Sequence, residues 1–86
     1  MMDIKGILRQ YFGAYLKPEM SQELRDDTPL LSTGIIDSIG VVGLIDFIES
    51  KFNFEFTPGE LDRDSLETIE RIHDIVREKL ATKGAL

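Results

Sequence analysis

The apolar residues fall into three runs, each with the repeat of a helix. Ile4, Ile7, Leu8, Tyr11, Phe12 and Tyr15 alternate spacings of three and one, which traces one face of a 3.6-residue period. They predict a helix over residues 3–16, capped by Asp3 and ended by Pro18, with Gly6 and Gly13 off the stripe. Val41, Leu44, Ile45, Ile48 and Phe52 predict a second helix over 38–52, with Asp37 and Ser38 as its polar start. Ile39, Val42 and Phe47 fall partly outside that stripe, so some of this set is expected at the surface. Leu66, Ile69, Ile72, Ile75, Val76 and Leu80 predict a last helix over 65–81, opened by an Asp64–Glu67 capping box. Arg77 and Lys79 suit the negative end of its dipole.

Residues 17–37 are rich in turn formers, including Pro18, Asp26, Asp27, Pro29, Ser32 and Gly34. Leu24, Leu30, Leu31, Ile35 and Ile36 are scattered through them, too many apolar residues for a solvated linker. They predict a long ordered loop packed on a core, of the kind that tends to carry function. Phe54 and Phe56 alternate with polar residues and read as an extended link that tucks rings into the core. Thr57-Pro58-Gly59-Glu60 predicts a short helical turn over 58–62, and residues 82–86 are expected to fray. The expected fold is a small all-α bundle of three longer helices and one short one, a single domain over residues 1–86.

Composition narrows the function. Eighty-six residues leave no room for a second core or a deep enzyme pocket. A net charge of −6 argues against nucleic acid, which needs a basic footprint, and permits partners with basic docking surfaces. The absence of cysteine excludes a disulfide framework, a thiolate metal site and a cysteine nucleophile, and one histidine cannot build a metal cluster. No apolar run is long enough to span a bilayer, and Met1-Met2-Asp3-Ile4-Lys5 is unlike a signal peptide. A cytoplasmic monomer without metal is expected.

One stretch carries candidate chemistry: Gly34-Ile35-Ile36-Asp37-Ser38-Ile39-Gly40. Here a serine stands where a long loop becomes a helix. A phosphate ester on its hydroxyl would meet free backbone N–H groups and the positive end of the helix dipole. The Asp37 carboxylate beside it can position a metal ion or orient a modifying enzyme. Gly40 and Gly43 are expected to keep the helix surface low, so that another protein can approach closely. On Asp37 and Ser38 alone, plain helix capping is a sufficient account. A Ser–His–Asp triad with His73 lacks a nucleophile elbow, and His73 reads as a packed or half-exposed side chain of the last helix. The acidic residues Glu60, Asp62, Asp64, Glu67, Glu70 and Asp74 read as a solvated face.

The pattern resembles the acyl and peptidyl carrier proteins over nearly the whole chain. Asp27-Thr28-Pro29-Leu30-Leu31-Ser32-Thr33-Gly34 resembles the family's loop before the attachment site, and Asp37-Ser38-Ile39 its Asp-Ser-Leu. The stretches from Leu44 to Phe52, Phe54 to Pro58 and Ser65 to Ile72 resemble the second helix, the following link and the start of the fourth helix. The resemblance implies a four-helix acyl-carrier-like bundle and a covalent 4′-phosphopantetheine arm on Ser38, with Asp37 recognised by the phosphopantetheinyl transferase. It implies a carrier of acyl or aminoacyl thioesters that is no enzyme itself. Its partners would be that transferase, an acyl- or amino-acid-activating ligase and downstream acyl-accepting enzymes. Docking is expected at Ile39, Val42 and Asp46. Fatty acid carriers place acidic residues where this chain has Gly40 and Gly43, so the match leans toward free-standing carriers such as those of D-alanine or amino acids. The alternative is a small helical interaction module that is never modified.

Overall fold

The structure, a computed structural model, describes residues 3–57, 59, 61–62 and 64–82. Three long helices carry the core: α1 (Ile4–Tyr15), α3 (Ser38–Phe52) and α4 (Ile69–Thr82). A six-residue helix, α2 (Pro18–Glu23), follows α1, and a 3₁₀ turn (Asp64–Leu66) precedes α4. The expected all-α class holds, with no strand among the described residues. Leu8, Phe12, Leu30, Leu44, Ile48, Ile69, Ile72 and Val76 are fully enclosed at the centre.

Each long helix starts where a side chain takes an amide that the helix cannot satisfy. The Asp3 carboxylate accepts from Gly6 N at 3.0 Å, and Asp37 accepts from Gly40 N at 2.8 Å. At the far end of α3, Asn53 adopts the left-handed conformation (φ 58°), which asparagine tolerates better than most residues. Glu49 then holds the extended link, its side chain accepting from Phe56 N at 2.9 Å. That link stacks Phe54 on Phe52 and sets Phe56 edge-on to Phe54, as the alternation of rings implies.

Two boundaries differ from the sequence reading. Pro18 does follow the end of α1, but it also opens α2, because proline is well suited to a first helical position. The irregular connection is therefore shorter than the expected 17–37. The last helix begins at Ile69, not residue 65. The Asp64–Glu67 box does not form; Thr68 caps α4 instead, with its Oγ1 accepting from Arg71 N at 3.1 Å. The Glu67 side chain turns to the loop before α3. The expected short helix over 58–62 includes Pro58 and Glu60, which lie outside the described residues, while Leu61 and Asp62 are non-helical. Of the terminus expected to fray, Thr82 closes α4 and 83–86 lie outside the described residues.

Within α3, Gly40, Leu44, Ile48 and Phe52 form the buried i, i+4 line. Val41 and Ile45, expected in the core stripe, are half-buried on one flank. Leu44→Ala and Ile48→Ala are each expected to lose about 2–5 kcal/mol of stability, since both side chains are fully enclosed. Chemical denaturation checks this, and an unchanged midpoint with an unchanged slope would contradict the burial.

Candidate functional site

The site begins with the irregular segment 24–36, which leads from α2 to α3. Its first part is tied to α1. Arg9 donates to Leu24 O at 2.8 Å and pairs with Asp26, which also meets Lys5 Nζ at 3.1 Å. Hydrogen bonds from Lys5 and then Arg9 hold the Asp26 carboxyl below the usual carboxylate range. Its second part is tied to the approach to α4. Leu30 N donates to Glu67 O at 2.7 Å, and Glu70 N donates to Asp26 O at 3.0 Å. Leu24, Leu30 and Ile36 are buried beneath it, as the scattered apolar residues implied.

The segment delivers Asp37 and Ser38 to the first turn of α3. The two share the polar start unequally. Asp37 is the N-cap and accepts the Gly40 amide; Ser38 is the first helical residue, is exposed, and takes no part in that cap. Division of labour between neighbours therefore leaves the serine hydroxyl at the positive end of a 15-residue helix, ready for an anionic substituent.

Ser38 stands at the edge of an open groove of about 540 Å³. Leu31, Ile36, Val41, Ile45, Leu61 and Leu66 line it, with Asp37 and Asp62 as acidic groups. The Ser65 backbone N–H, then the Ser65 hydroxyl, holds the Asp62 carboxyl below the usual carboxylate range. His73 is not among the lining residues; its Nδ1 meets Asp74 Oδ1 at 3.1 Å, so Ser38 gains no general base from it. No group of His, Cys, Asp or Glu among the described residues is arranged to hold a metal ion.

The outward face of α3 presents Ile39 and Val42, 83% and 61% exposed, with exposed Asp46 one turn on. Phe47 parts company with them: it is half-buried and stacks on Tyr11 at 4.4 Å. Of the two glycines, Gly40 differs from expectation. Gly40 is buried, and a Cβ there would run into Tyr15 Oη and lie 2.8 Å from Ile36 Cγ2. It serves the packing of α1 and the loop against α3, and leaves no opening for a partner. Gly43 is exposed, with Tyr11 Oη 3.4 Å from its would-be Cβ. The sequence reading did not connect Glu67 with the loop before α3, because a Glu three residues after an Asp looks like half a capping box.

An exposed serine thus stands at the corner of a loop and a helix, beside an apolar groove. Residues 3–76 match the family of the phosphopantetheine attachment site, and the chain belongs to that family. It is 31% identical over 77 residues to D-alanyl carrier proteins of Streptococcus pyogenes serotype M5 (strain Manfredo) and serotype M1, covering 90% of this chain and 95% of theirs. No solved structure matches. The protein is thus a carrier with a covalent 4′-phosphopantetheine, and it is not itself an enzyme.

The glycines give a direct test of the packing. Gly13 has open space where a Cβ would go, so Gly13→Ala is expected to stabilise α1 by about 1 kcal/mol. Gly40→Ala gains the same helix propensity but must displace Ile36, and is expected to cost about 1–3 kcal/mol net. Thermal unfolding of the pair checks this; equal shifts would remove the buried role of Gly40.

Proposed function

We propose that Ser38 is the attachment residue, and that the chain is loaded by an adenylating ligase with a small acyl or aminoacyl group. The observation that carries the first part is the exposed Ser38 hydroxyl, released from capping by Asp37 and facing an apolar groove. The residues present fit the arm. The hydroxyl offers an unhindered oxygen, the start of α3 offers its dipole to the phosphodiester, and the groove offers apolar walls to the rest of the arm. When attached, the arm supplies the thiol that this cysteine-free chain lacks, and holds a carboxylic acid as a thioester.

Asp37 has two tasks in this reading. It fixes the geometry of the first turn through Gly40 N, and it presents a carboxylate to the transferase beside the reacting hydroxyl. Ile39 and Val42 form the apolar centre of the docking face, and Asp46 is a charge at its rim. The aminoacyl cargo is supported by the similarity to proteins named as D-alanyl carriers. We place the work of the chain in the cytoplasm, among transferase, ligase and acceptor enzymes. No helix among the described residues is long and apolar enough to cross a membrane. We also read the three long helices, the short one and the connecting loop as the carrier-type bundle.

Ser38→Ala is expected to fold like the parent, because the cap belongs to Asp37. Incubated with a phosphopantetheinyl transferase and its donor, the parent should gain the mass of one arm and Ser38→Ala none. A parent that stays unmodified would favour the alternative, an unmodified helical interaction module; a modified Ser38→Ala would move the site elsewhere.

Ile39→Asp and Val42→Asp are expected to keep the parent's stability, since neither side chain is needed inside. Both should raise KM for transferase or ligase, while Asp46→Asn changes mainly the salt dependence of the rate. Parent kinetics in the two apolar variants would exclude this face from docking.

A further inference from the structure

We propose that Glu67 is a positioning residue for Ser38: its carboxylate holds the loop that presents the attachment serine. The inference rests on Ser38 being the attachment residue. Residues 29–36 form a nearly closed turn. Ile36 N donates to Leu30 O at 3.0 Å, Gly34 N to Leu31 O at 3.1 Å, and Thr33 Oγ1 to Pro29 O at 2.6 Å. Gly34, at φ +78°, allows the reversal, a conformation with little strain only for glycine. The turn ends beside Asp37, so any tilt of it moves the cap and the serine together.

Glu67 grips this turn at one point. Its Oε1 accepts from Leu31 N at 2.9 Å, from Ser32 N at 3.0 Å and from Ser32 Oγ at 3.2 Å. Bonds to a carboxylate are roughly twice as strong as neutral ones. Glu67 O also accepts from Leu30 N, and that main-chain bond survives a side-chain substitution. The caps of the two helices are other side chains, Asp37 on α3 and Thr68 on α4. Removing the carboxylate therefore loosens the turn without withdrawing buried Leu30. Leu31 and Leu66, on either side of this grip, both line the groove at Ser38.

A loosened turn populates the presented form of Ser38 for less of the time. The apparent affinity of the transferase falls by that fraction, while turnover of the bound form is unchanged. Parent, Glu67→Ala and Glu67→Gln proteins are compared for transferase kinetics by intact mass, for amide exchange at Leu31 and Ser32, and for helical circular dichroism. Glu67→Ala is expected to raise KM about tenfold, the effect of a presented fraction near one in ten, with kcat within about twofold of the parent. Exchange at Leu31 and Ser32 should quicken while helicity stays. Glu67→Gln keeps an accepting oxygen and should recover most of the KM. Parent KM in Glu67→Ala, with the two amides exchanging fast, would overturn the positioning role and leave the carrier reading intact. Lost helicity matched by equal kinetic loss in both variants would assign Glu67 to folding alone and also overturn it. If Glu67→Ala fails to fold, Glu67→Met, of similar size but without the accepting carboxylate, decides: a raised KM at unchanged kcat supports the role, and the parent KM overturns it. A parent unmodified at Ser38 removes the carrier reading and this inference with it.

Discussion

Backbone amides outside helices and sheets must still find partners, and the segment 24–36 finds them on its two neighbours. Arg9 of α1 takes Leu24 O, and the approach to α4 takes Leu30, Leu31 and Ser32 through Glu67. The start of α4 itself is completed by this segment, since Glu70 N donates to Asp26 O. Loop and helix thus satisfy each other's open groups. Buried Leu24, Leu30 and Ile36 hold the segment down, but hydrophobic burial has no direction. The hydrogen bonds fix its path, and that path decides where α3 starts and where Ser38 points.

Helix α3 is divided around its circumference. One line, Gly40 to Phe52, enters the core. One flank carries Gly43 and Phe47 against the tyrosines of α1, where Tyr11 stacks on Phe47 and Tyr15 lies over Gly40. Burial, and then neighbouring Tyr15, push the Tyr11 phenol above its ordinary value. The other flank, Val41 and Ile45, forms a wall of the groove. The remaining face, with Ile39, Val42 and Asp46, meets solvent. A helix with four different environments cannot show a clean polar and apolar alternation.

That division explains how much the chain alone could reveal. The extent of α3 and the apolar cores of α1 and α4 were legible, because period and caps agree there. The buried line of α3 was legible only in part, since apolar residues nearly surround its first turns and a glycine is invisible to a hydrophobic pattern. Gly40 looked like an absent acidic residue; its cause lies in Tyr15 and Ile36, far off in sequence or across a turn. Glu67 failed for a related reason. Its neighbours suggested a local cap, but its carboxylate accepts from amides 35 and 36 residues away. Ser38 stood out because it joins a local signal, a polar helix start, to a family resemblance.

The proposed docking face is also consistent with what a carrier has to do. Ile39 and Val42 contribute nothing to the core, so their exposure has no structural return and carries a solubility cost that the net charge of −6 offsets. Two apolar side chains with a rim carboxylate bury far less than the roughly 1,200–2,000 Å² of a stable protein complex. A partner that grips only this face and the arm therefore leaves readily. Under the proposed function the protein meets a transferase, a ligase and an acceptor in turn, and fast release then matters as much as recognition. A broad apolar patch would bind each partner longer and slow the hand-over, so the small size of the face is itself a functional constraint.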